Sequence, residues 1–460
     1  MKKKYLSIGL PILGTLFCLW YIKIATCDIV YTDYIRLVNA YLPDVWNPQK
    51  FFVPDVLTRI PINYLGRIIN TALFDYSTTV DMIWGVLGLG LAGWVIGCYC
   101  SHYSIRWYWL VSLMILLFGL NKWEMLTNGS GWPHFLAIAC FYYHYLVLDR
   151  VWYGTEKKQD RLKLMVLPFV ITLGIAGPYC AIYSLVMLLS YGFCMMVWAR
   201  HTGKSDRRYL CYIICVILPF LCYLWSNSYA VEDHVGMQKL PLFATLWENP
   251  GYFARFFFNS LASDWMSGEQ LLAWIGEGVI SKQTVYLIGA VVLLAALAAL
   301  WMNFRYHLYK TTMFPLMLLV TGGLNHLLIL YSRWSFMNEA YGMSSRYALQ
   351  FQCLTLGILL TAALAWEQVS GRVKRIAMGS CCVLLLLGSG MTTYQEVLKA
   401  PYREAYGERI AATALQYREV SDEVLRETFD YRKSREDSGA KVREALEILD
   451  LQQWNIFEEQ

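Results

Sequence analysis

The chain has 460 residues, of which 57% are hydrophobic and only 16% are charged, and its formal net charge is +5. A soluble globular protein carries about 25% charged residues, so most of this chain lacks the charged surface that a water-soluble fold needs. The basic residues stand in short clusters between apolar runs, which argues against a nucleic-acid-binding surface and indicates a protein that crosses a membrane several times.

The apolar runs predict eleven membrane-spanning helices, because a hydrocarbon core of about 30 Å requires about 20 apolar residues per helix. The first run is longer than the apolar core of a secretory signal, so we interpret it as a retained helix, although Ala25, Thr26 and Cys27 would also fit a cleavage site. The predicted spans are 5–25, 79–99, 105–121, 132–148, 163–177, 179–199, 209–227, 283–302, 312–332, 347–366 and 376–393.

The charges between these spans predict the orientation. Connections assigned to the cytoplasmic side are short and basic, whereas those on the other side are longer and mixed in sign, so the amino terminus is expected inside. An odd number of spans then puts the carboxyl terminus outside. We therefore predict an all-α polytopic membrane domain over residues 1–393, with a helical first outer loop at about 26–78, a second outer loop at about 228–282 and a polar helical outer tail at 394–460.

The first outer loop contains two carboxylates soon after the first span, Asp28 and Asp33, among several tyrosines. A partly desolvated carboxylate beside aromatic rings can act as a general base, and the rings can stack on sugars. The alternative is that the rings anchor the loop at the membrane interface and that the two carboxylates are solvated or cap a helix. Further along the loop, the apolar pattern from Pro54 to Ile69 predicts an amphipathic helix at the membrane surface.

Two later outer segments also contain polar side chains of interest. Between the third and fourth spans, Glu124 and His134 can face a shared cavity, or they simply flank a glycine turn. Before the tenth span, Arg346 stands on the outer side against the charge trend. An arginine at that place can bind a lipid phosphate through paired hydrogen bonds, and the alternative is an ion pair with Glu339 that holds the loop.

Familiar soluble catalytic motifs are missing from the sequence. It contains no GxxxxGK[ST] phosphate loop, no GxSxG nucleophile turn, no HExxH helix and no cysteine pairs with metal-binding spacing. The sequence therefore predicts no zinc site and no cofactor, and it leaves the metal requirement open. It favours substrates that are lipid-linked or lie outside the cytoplasm, without direct use of a cytosolic nucleotide.

Taken together, these features resemble the GT-C-like class of multi-spanning bacterial glycosyltransferases. The resemblance consists of the acidic first outer loop, Trp123-Glu124 before a glycine-aromatic segment, Ser345-Arg346-Tyr347 at the start of a late helix, and the outer tail. Such relatives often have His, Asn and Glu residues before an arginine in the first loop, and here Arg59 alone matches that stretch.

The resemblance implies a location in the bacterial cytoplasmic membrane and transfer of a sugar from a polyprenyl-phosphate donor to a glycan acceptor on the outer face. It implies that a first-loop aspartate, Asp33 or otherwise Asp28, is the catalytic base. It also implies a set of substrate- and phosphate-binding residues, namely Arg59, Glu124, Arg333, Arg346 and Tyr347. Three alternatives stay open: a transporter or flippase of lipid-linked sugars, a polysaccharide polymerase or ligase, and a membrane scaffold without catalytic activity.

Overall fold

A computed structural model describes residues 2–52, 60–203, 206–227, 238, 240–433 and 435–458. Within these residues the regular elements are all helices and no β-strand occurs, as the sequence predicts. The α-helices are α1 Lys2–Ala25, α2 Asp33–Tyr41, α3 Pro61–Phe74, α4 Thr78–His102, α5 Trp107–Phe118, α6 Trp123–Thr127, α7 Trp132–Trp152, α8 Asp160–Phe169, α9 Cys180–Thr202, α10 Arg207–Asn227, α11 Leu242–Glu248, α12 Pro250–Ala262, α13 Gly268–Gly276, α14 Lys282–Arg305, α15 Phe314–Arg333, α16 Ala348–Ala365, α17 Arg372–Leu415, α18 Asp422–Thr428 and α19 Ser438–Gln452.

The described part of the chain contains nine helical segments that are long and apolar enough to cross a membrane. They comprise α1, α4, α5 continued through α6, α9, α10, α14, α15, α16 and α17, with their adjoining turns. The fold is therefore that of a multi-spanning helical membrane protein. The other two predicted spans are helical as well, but α7 buries His144 and Asp149, and α8 gives way to a π-helical turn, Val170–Ile175. The total of eleven stays a prediction.

The helices differ in how much of their surface faces outward. Helix α14 presents exposed leucines such as Leu287 and Leu294, which is typical of a helix in contact with lipid. Helix α16 is buried on nearly all sides and packs against α5, α14 and α15. It is therefore the central helix of the bundle, and its amino-terminal end lies at the candidate functional site.

The first outer loop contains two helices, α2 and α3. Helix α3 begins at Pro61 in the described residues, and 53–59, which includes Arg59, lies outside them. Leu65, Ile69 and Leu73 are exposed at a spacing of four residues, whereas Arg67 on another face is fully buried. An apolar face turned outward from a polar interior agrees with a helix lying on a membrane surface.

The carboxyl-terminal tail and the first outer loop share one hydrophobic core outside the membrane bundle. Tyr34 and Val38 of α2 belong to the same buried cluster as Leu425, Phe429 and Leu446 of the tail. The predicted boundary at 393/394 falls inside α17, which continues without a break from the last span into the tail. The tail is thus held in place both by a continuous helix and by apolar packing against α2.

Candidate functional site

Asp33 is the first residue of α2 and points away from the outer core. The buried side of this short helix consists of Tyr34, Ile35, Leu37 and Val38. Asp33 lies on the open side, and its side chain is 39% exposed. Arg36 lies one turn later, with a guanidinium nitrogen 4.0 Å from the Asp33 carboxylate. A carboxylate in this position is accessible to a substrate and lies within range of a positive charge.

The residue before Asp33 has a strained backbone. Thr32 has φ 51°, a value that a β-branched residue rarely adopts. Two contacts from distant parts of the chain hold it there: its backbone N–H donates to the carbonyl of Phe429 at 3.0 Å, and its hydroxyl accepts from Asn128 at 3.1 Å. The start of α2, and with it Asp33, is therefore fixed from the tail and from the turn between α6 and α7.

A buried polar network anchors the residue after Asp33. The Tyr34 hydroxyl donates to Asp81 at 2.8 Å, and Asp81 also forms an ion pair with Arg67 and accepts from Asn70 at 3.0 Å. The side chains of Arg67 and Asp81 are fully buried, so the acid must be paired to be tolerated in this position. The network fixes α2 to α3 and to the first turn of α4.

A second acidic residue, Glu124, is paired with an arginine from the other end of the sequence. Arg346 donates to Glu124 at 2.5 Å, and the Ser345 hydroxyl donates to the other carboxylate oxygen at 3.0 Å. The backbone N–H of Ser345 donates to Glu269 at 3.1 Å, and burial raises the pKa of Glu269. The ion pair between Arg346 and Glu339 that the sequence left open is absent, since Glu339 pairs with Arg255 at 2.6 Å.

Arg333 differs from Arg346 because its contacts are aromatic. Its guanidinium stands 5.8 Å from the ring centre of Phe336 and 6.0 Å from that of Tyr341, and its Nε donates to the Tyr347 hydroxyl at 3.0 Å. Within the described residues, Arg333 forms no ion pair with a carboxylate. Its charge is therefore available to an anionic ligand.

These side chains meet at one cavity of about 460 Å³, which we call the Asp33 cavity. Its polar residues come from α2, α6, the end of α15 and the turn before α16, and its apolar wall comes from the ends of the membrane-spanning helices. Of the residues singled out in the sequence, it is lined by Asp33, Glu124, His134, Arg333, Arg346 and Tyr347. Its further lining includes Arg36, Met125, Asn128, Pro178, Tyr179, Leu328, Ile329, Tyr341 and Gln350.

Asp28 does not line this cavity. Its carboxylate accepts from the backbone N–H of Thr78 at 2.7 Å, from the Thr78 hydroxyl at 2.8 Å, from the Asn455 side chain at 2.9 Å, and from the Ser77 hydroxyl. It therefore caps the start of α4 and ties it to the tail, which is the structural alternative that the sequence left open. Arg59 lies outside the described residues.

The sequence already favours Asp33 as the base because tyrosines flank it and Arg36 follows it at helical spacing, whereas other contacts at the cavity are visible only in the structure. The stacking of His134 on Tyr179, with ring centres 4.2 Å apart, joins two segments whose contact the sequence does not reveal. In the described part of the chain, no three His, Cys, Asp or Glu side chains are grouped in a way that would hold a metal ion.

No protein-family model matches the chain, and no curated protein matches it. Among solved structures, it is similar to the archaeal oligosaccharyltransferase AglB from Archaeoglobus fulgidus, solved in complex with an inhibitory peptide and a dolichol-phosphate. The two are 14% identical with a TM-score of 0.42, and the similarity covers 93% of this chain and 60% of the archaeal one. This chain thus spans less than two thirds of that protein. The similarity is too low to assign a function, so any function has to be argued from the Asp33 cavity itself.

Proposed function

We propose that this chain is a membrane glycosyltransferase that moves a sugar from a polyprenyl-phosphate donor to a glycan acceptor on the outer face of the bacterial cytoplasmic membrane. The supporting observation is that an accessible carboxylate, Asp33, and a guanidinium, Arg333, line one cavity at the ends of membrane-spanning helices, and that Arg333 has no carboxylate partner among the described residues. Transfer from a phosphate-linked sugar can use both groups, the carboxylate as a base for the acceptor hydroxyl and the guanidinium as a cation for the departing phosphate.

In the proposed reaction, Asp33 is the general base. Its carboxylate removes the proton of an acceptor hydroxyl while the hydroxyl oxygen forms a bond to the anomeric carbon of the sugar. The bond between that carbon and the phosphate oxygen breaks, and the phosphate leaves with the electron pair. Because a phosphate needs no proton to leave, one carboxylate suffices for the reaction.

Arg333 is the proposed phosphate ligand. Its planar guanidinium can donate two parallel hydrogen bonds to a phosphate, and the charge that develops on the leaving group strengthens them. Tyr347 and the rings of Phe336 and Tyr341 hold the guanidinium in place. Arg346, whose charge is compensated by Glu124, has the different role of closing the side of the cavity.

A lipid-linked donor also needs an apolar surface beside the phosphate site. The apolar part of the Asp33 cavity lining includes Met125, Pro178, Leu328 and Ile329. Leu328 and Ile329 belong to α15 and Pro178 lies just before α9, and both helices are long and apolar enough to cross the membrane. This arrangement favours a donor whose phosphate and sugar occupy the cavity while its polyprenyl chain stays in the lipid. With the amino terminus in the cytoplasm, the cavity opens to the outer side.

The proposal is tested by comparing the envelope glycans of cells that lack the chain with those of cells that express variants of it. We expect Asp33→Asn to be inserted in normal amounts and to leave the glycan unmodified. Asp44→Asn is the matched control, because Asp44 lies in the same loop, is 55% exposed and does not line the Asp33 cavity. Full glycan modification by Asp33→Asn would refute the proposed base.

A further inference from the structure

A second cavity of about 390 Å³ adjoins the Asp33 cavity, and we call it the tail cavity. The end of α1 and the loop after it form one side, and α17 forms the other side. Glu124, Asn128 and Arg346 line both cavities, so the Glu124–Arg346 ion pair is a partition between them. The proposed chemistry does not use the tail cavity, although only a few side chains separate it from Asp33.

The tail cavity lies on the aqueous side of the protein. One face of α17 lines it with four polar or aromatic side chains at helical spacing, namely Lys399, Tyr402, Arg403 and Tyr406. The apolar stretch of α17 ends near residue 393, and a helix rises about 1.5 Å per residue, so Tyr402 stands roughly 14 Å beyond it. A polar ligand could reach this cavity without entering the lipid.

The charges that surround the tail cavity nearly balance. Lys399 and Arg403 both pair with the buried carboxylate of Glu396, and Asp430 pairs with Lys433 at 2.9 Å. A strongly anionic or cationic ligand would need an excess of the opposite charge in the cavity lining, and the lining has no large excess of either sign. Saccharide hydroxyls instead need donors and acceptors side by side, and this cavity offers both.

Aromatic rings complete the lining. The walls include the rings of Tyr31, Tyr402 and Tyr406, and such rings can stack on the apolar faces of sugars. The Trp123 ring also lines the cavity, but the Arg403 guanidinium covers one of its faces at 3.2 Å from the ring centre. The tyrosine hydroxyls are protonated at neutral pH, as is usual for tyrosine, and each can donate a hydrogen bond to a sugar. Rings together with balanced donors and acceptors favour a carbohydrate over a lipid tail or a lone anion.

We propose that the tail cavity binds the saccharide acceptor of the transfer reaction. The inference rests on the proposed function, in which the lipid-linked donor occupies the Asp33 cavity. The acceptor chain lies along α17 in the tail cavity, and its reacting hydroxyl reaches past Asn128 and the Glu124–Arg346 partition to Asp33. The tail thus contributes directly to acceptor binding, in addition to holding α2.

The test replaces Tyr402 with the photoreactive residue p-benzoylphenylalanine in the full-length chain and irradiates intact cells. Tyr402 is 78% exposed, so the substitution is expected to leave the fold intact. Tyr394 is the matched control, because it is an exposed tyrosine of the same helix that lines neither cavity. After lipid extraction, periodate oxidation and hydrazide labelling reveal any sugar attached to the chain.

We expect a sugar-bearing adduct from position 402, none from position 394, and the same adduct when Asp33→Asn is added, because binding does not require the base. No sugar at position 402, an adduct that contains only lipid, or equal labelling at both positions would overturn the inference. These outcomes are separate from those of the proposed function. Normal transfer by Asp33→Asn refutes the base even where the adduct forms, and a missing adduct leaves the Asp33 test unaffected.

Discussion

Arg346 donates a hydrogen bond to Glu124 at 2.5 Å, and both side chains line the Asp33 cavity and the tail cavity. Glu124 belongs to α6 and Arg346 to the turn before α16, so the contact joins two distant parts of the sequence. The pair is a wall shared by the two proposed substrate sites, which makes its removal informative.

Arg346→Gln leaves the charge of Glu124 without its partner between the two substrates. We expect the transfer rate to fall on the order of 100-fold, the size of effect that misplacement of a reacting group produces. Adding Glu124→Gln restores neutrality and should recover part of the rate. A transfer assay on the two single variants and the double variant measures this coupling. If the rate reduction in the double variant equals the product of the reductions in the two single variants, the two residues act independently and the coupling is refuted.

Arg333→Gln removes the proposed phosphate ligand. A hydrogen bond to a charged group contributes about 1.5–3 kcal/mol, so the KM for the lipid-linked donor should rise about 10- to 100-fold while the KM for the acceptor stays constant. Arg106→Gln is the control, because Arg106 lies at the opposite end of α5 from Glu124 and pairs with Glu367. Steady-state kinetics with each substrate varied in turn measures both values. An unchanged donor KM would rule Arg333 out as the phosphate ligand.

Arg67→Met leaves Asp81 charged and buried without its partner. The loss of one member of a buried ion pair costs about 3–5 kcal/mol, so we expect a marked decrease in the free energy of unfolding. Arg418→Met is the comparison, because the Arg418–Asp450 pair is largely exposed on the arginine side and should contribute less than about 1 kcal/mol. Unfolding of both variants in the same detergent micelles gives the difference. If Arg67→Met and Arg418→Met lower the free energy of unfolding by the same amount, the buried network does not anchor α2.

Gly129→Ala tests the close approach of the α6–α7 turn to α2 and α4. A Cβ atom at Gly129 would lie 2.5 Å from the Tyr34 hydroxyl and 2.7 Å from Asp81 Cβ, so both must shift. We expect a loss of stability of about 1–3 kcal/mol together with reduced transfer. Gly192→Ala is the control, because no atom of the described residues lies within 4 Å of the Cβ atom there. A melting curve and a transfer assay are measured for each variant. If Gly129→Ala and Gly192→Ala have the same stability and the same transfer rate, the close contact at Gly129 is contradicted.

The sequence predicts the membrane fold because a run of about 20 apolar residues has few other uses. It also singled out Asp33, Glu124, Arg333 and Arg346, which the structure brings to one cavity, although their roles remain predictions. Charged residues in the short segments between apolar runs are few enough to be noticed without knowledge of the fold.

The rest depended on contacts between distant parts of the chain. Asp28 and Asp33 look alike in the sequence. In the structure, however, the Asp28 carboxylate accepts hydrogen bonds from several groups, one of which is Asn455, 427 residues away. The sequence shows that α2 and the tail helices each have an apolar face. It does not show that these faces pack against each other, as they do in the structure. The tail cavity depends on that packing, so the sequence alone did not reveal it.

The most direct test of the account measures turnover and thermal stability together for Asp33→Asn and Asp28→Asn, with the purified chain in lipid nanodiscs. If Asp33 is the base, Asp33→Asn should lower kcat about 10²- to 10⁴-fold at an unchanged Tm, because general-base catalysis contributes an effect of that size. Asp28→Asn should lower Tm, because it disturbs the hydrogen bonds to Thr78 and Asn455, and should leave kcat per folded molecule unchanged. A full rate for Asp33→Asn, or a loss of rate for Asp28→Asn at an unchanged Tm, would contradict the account.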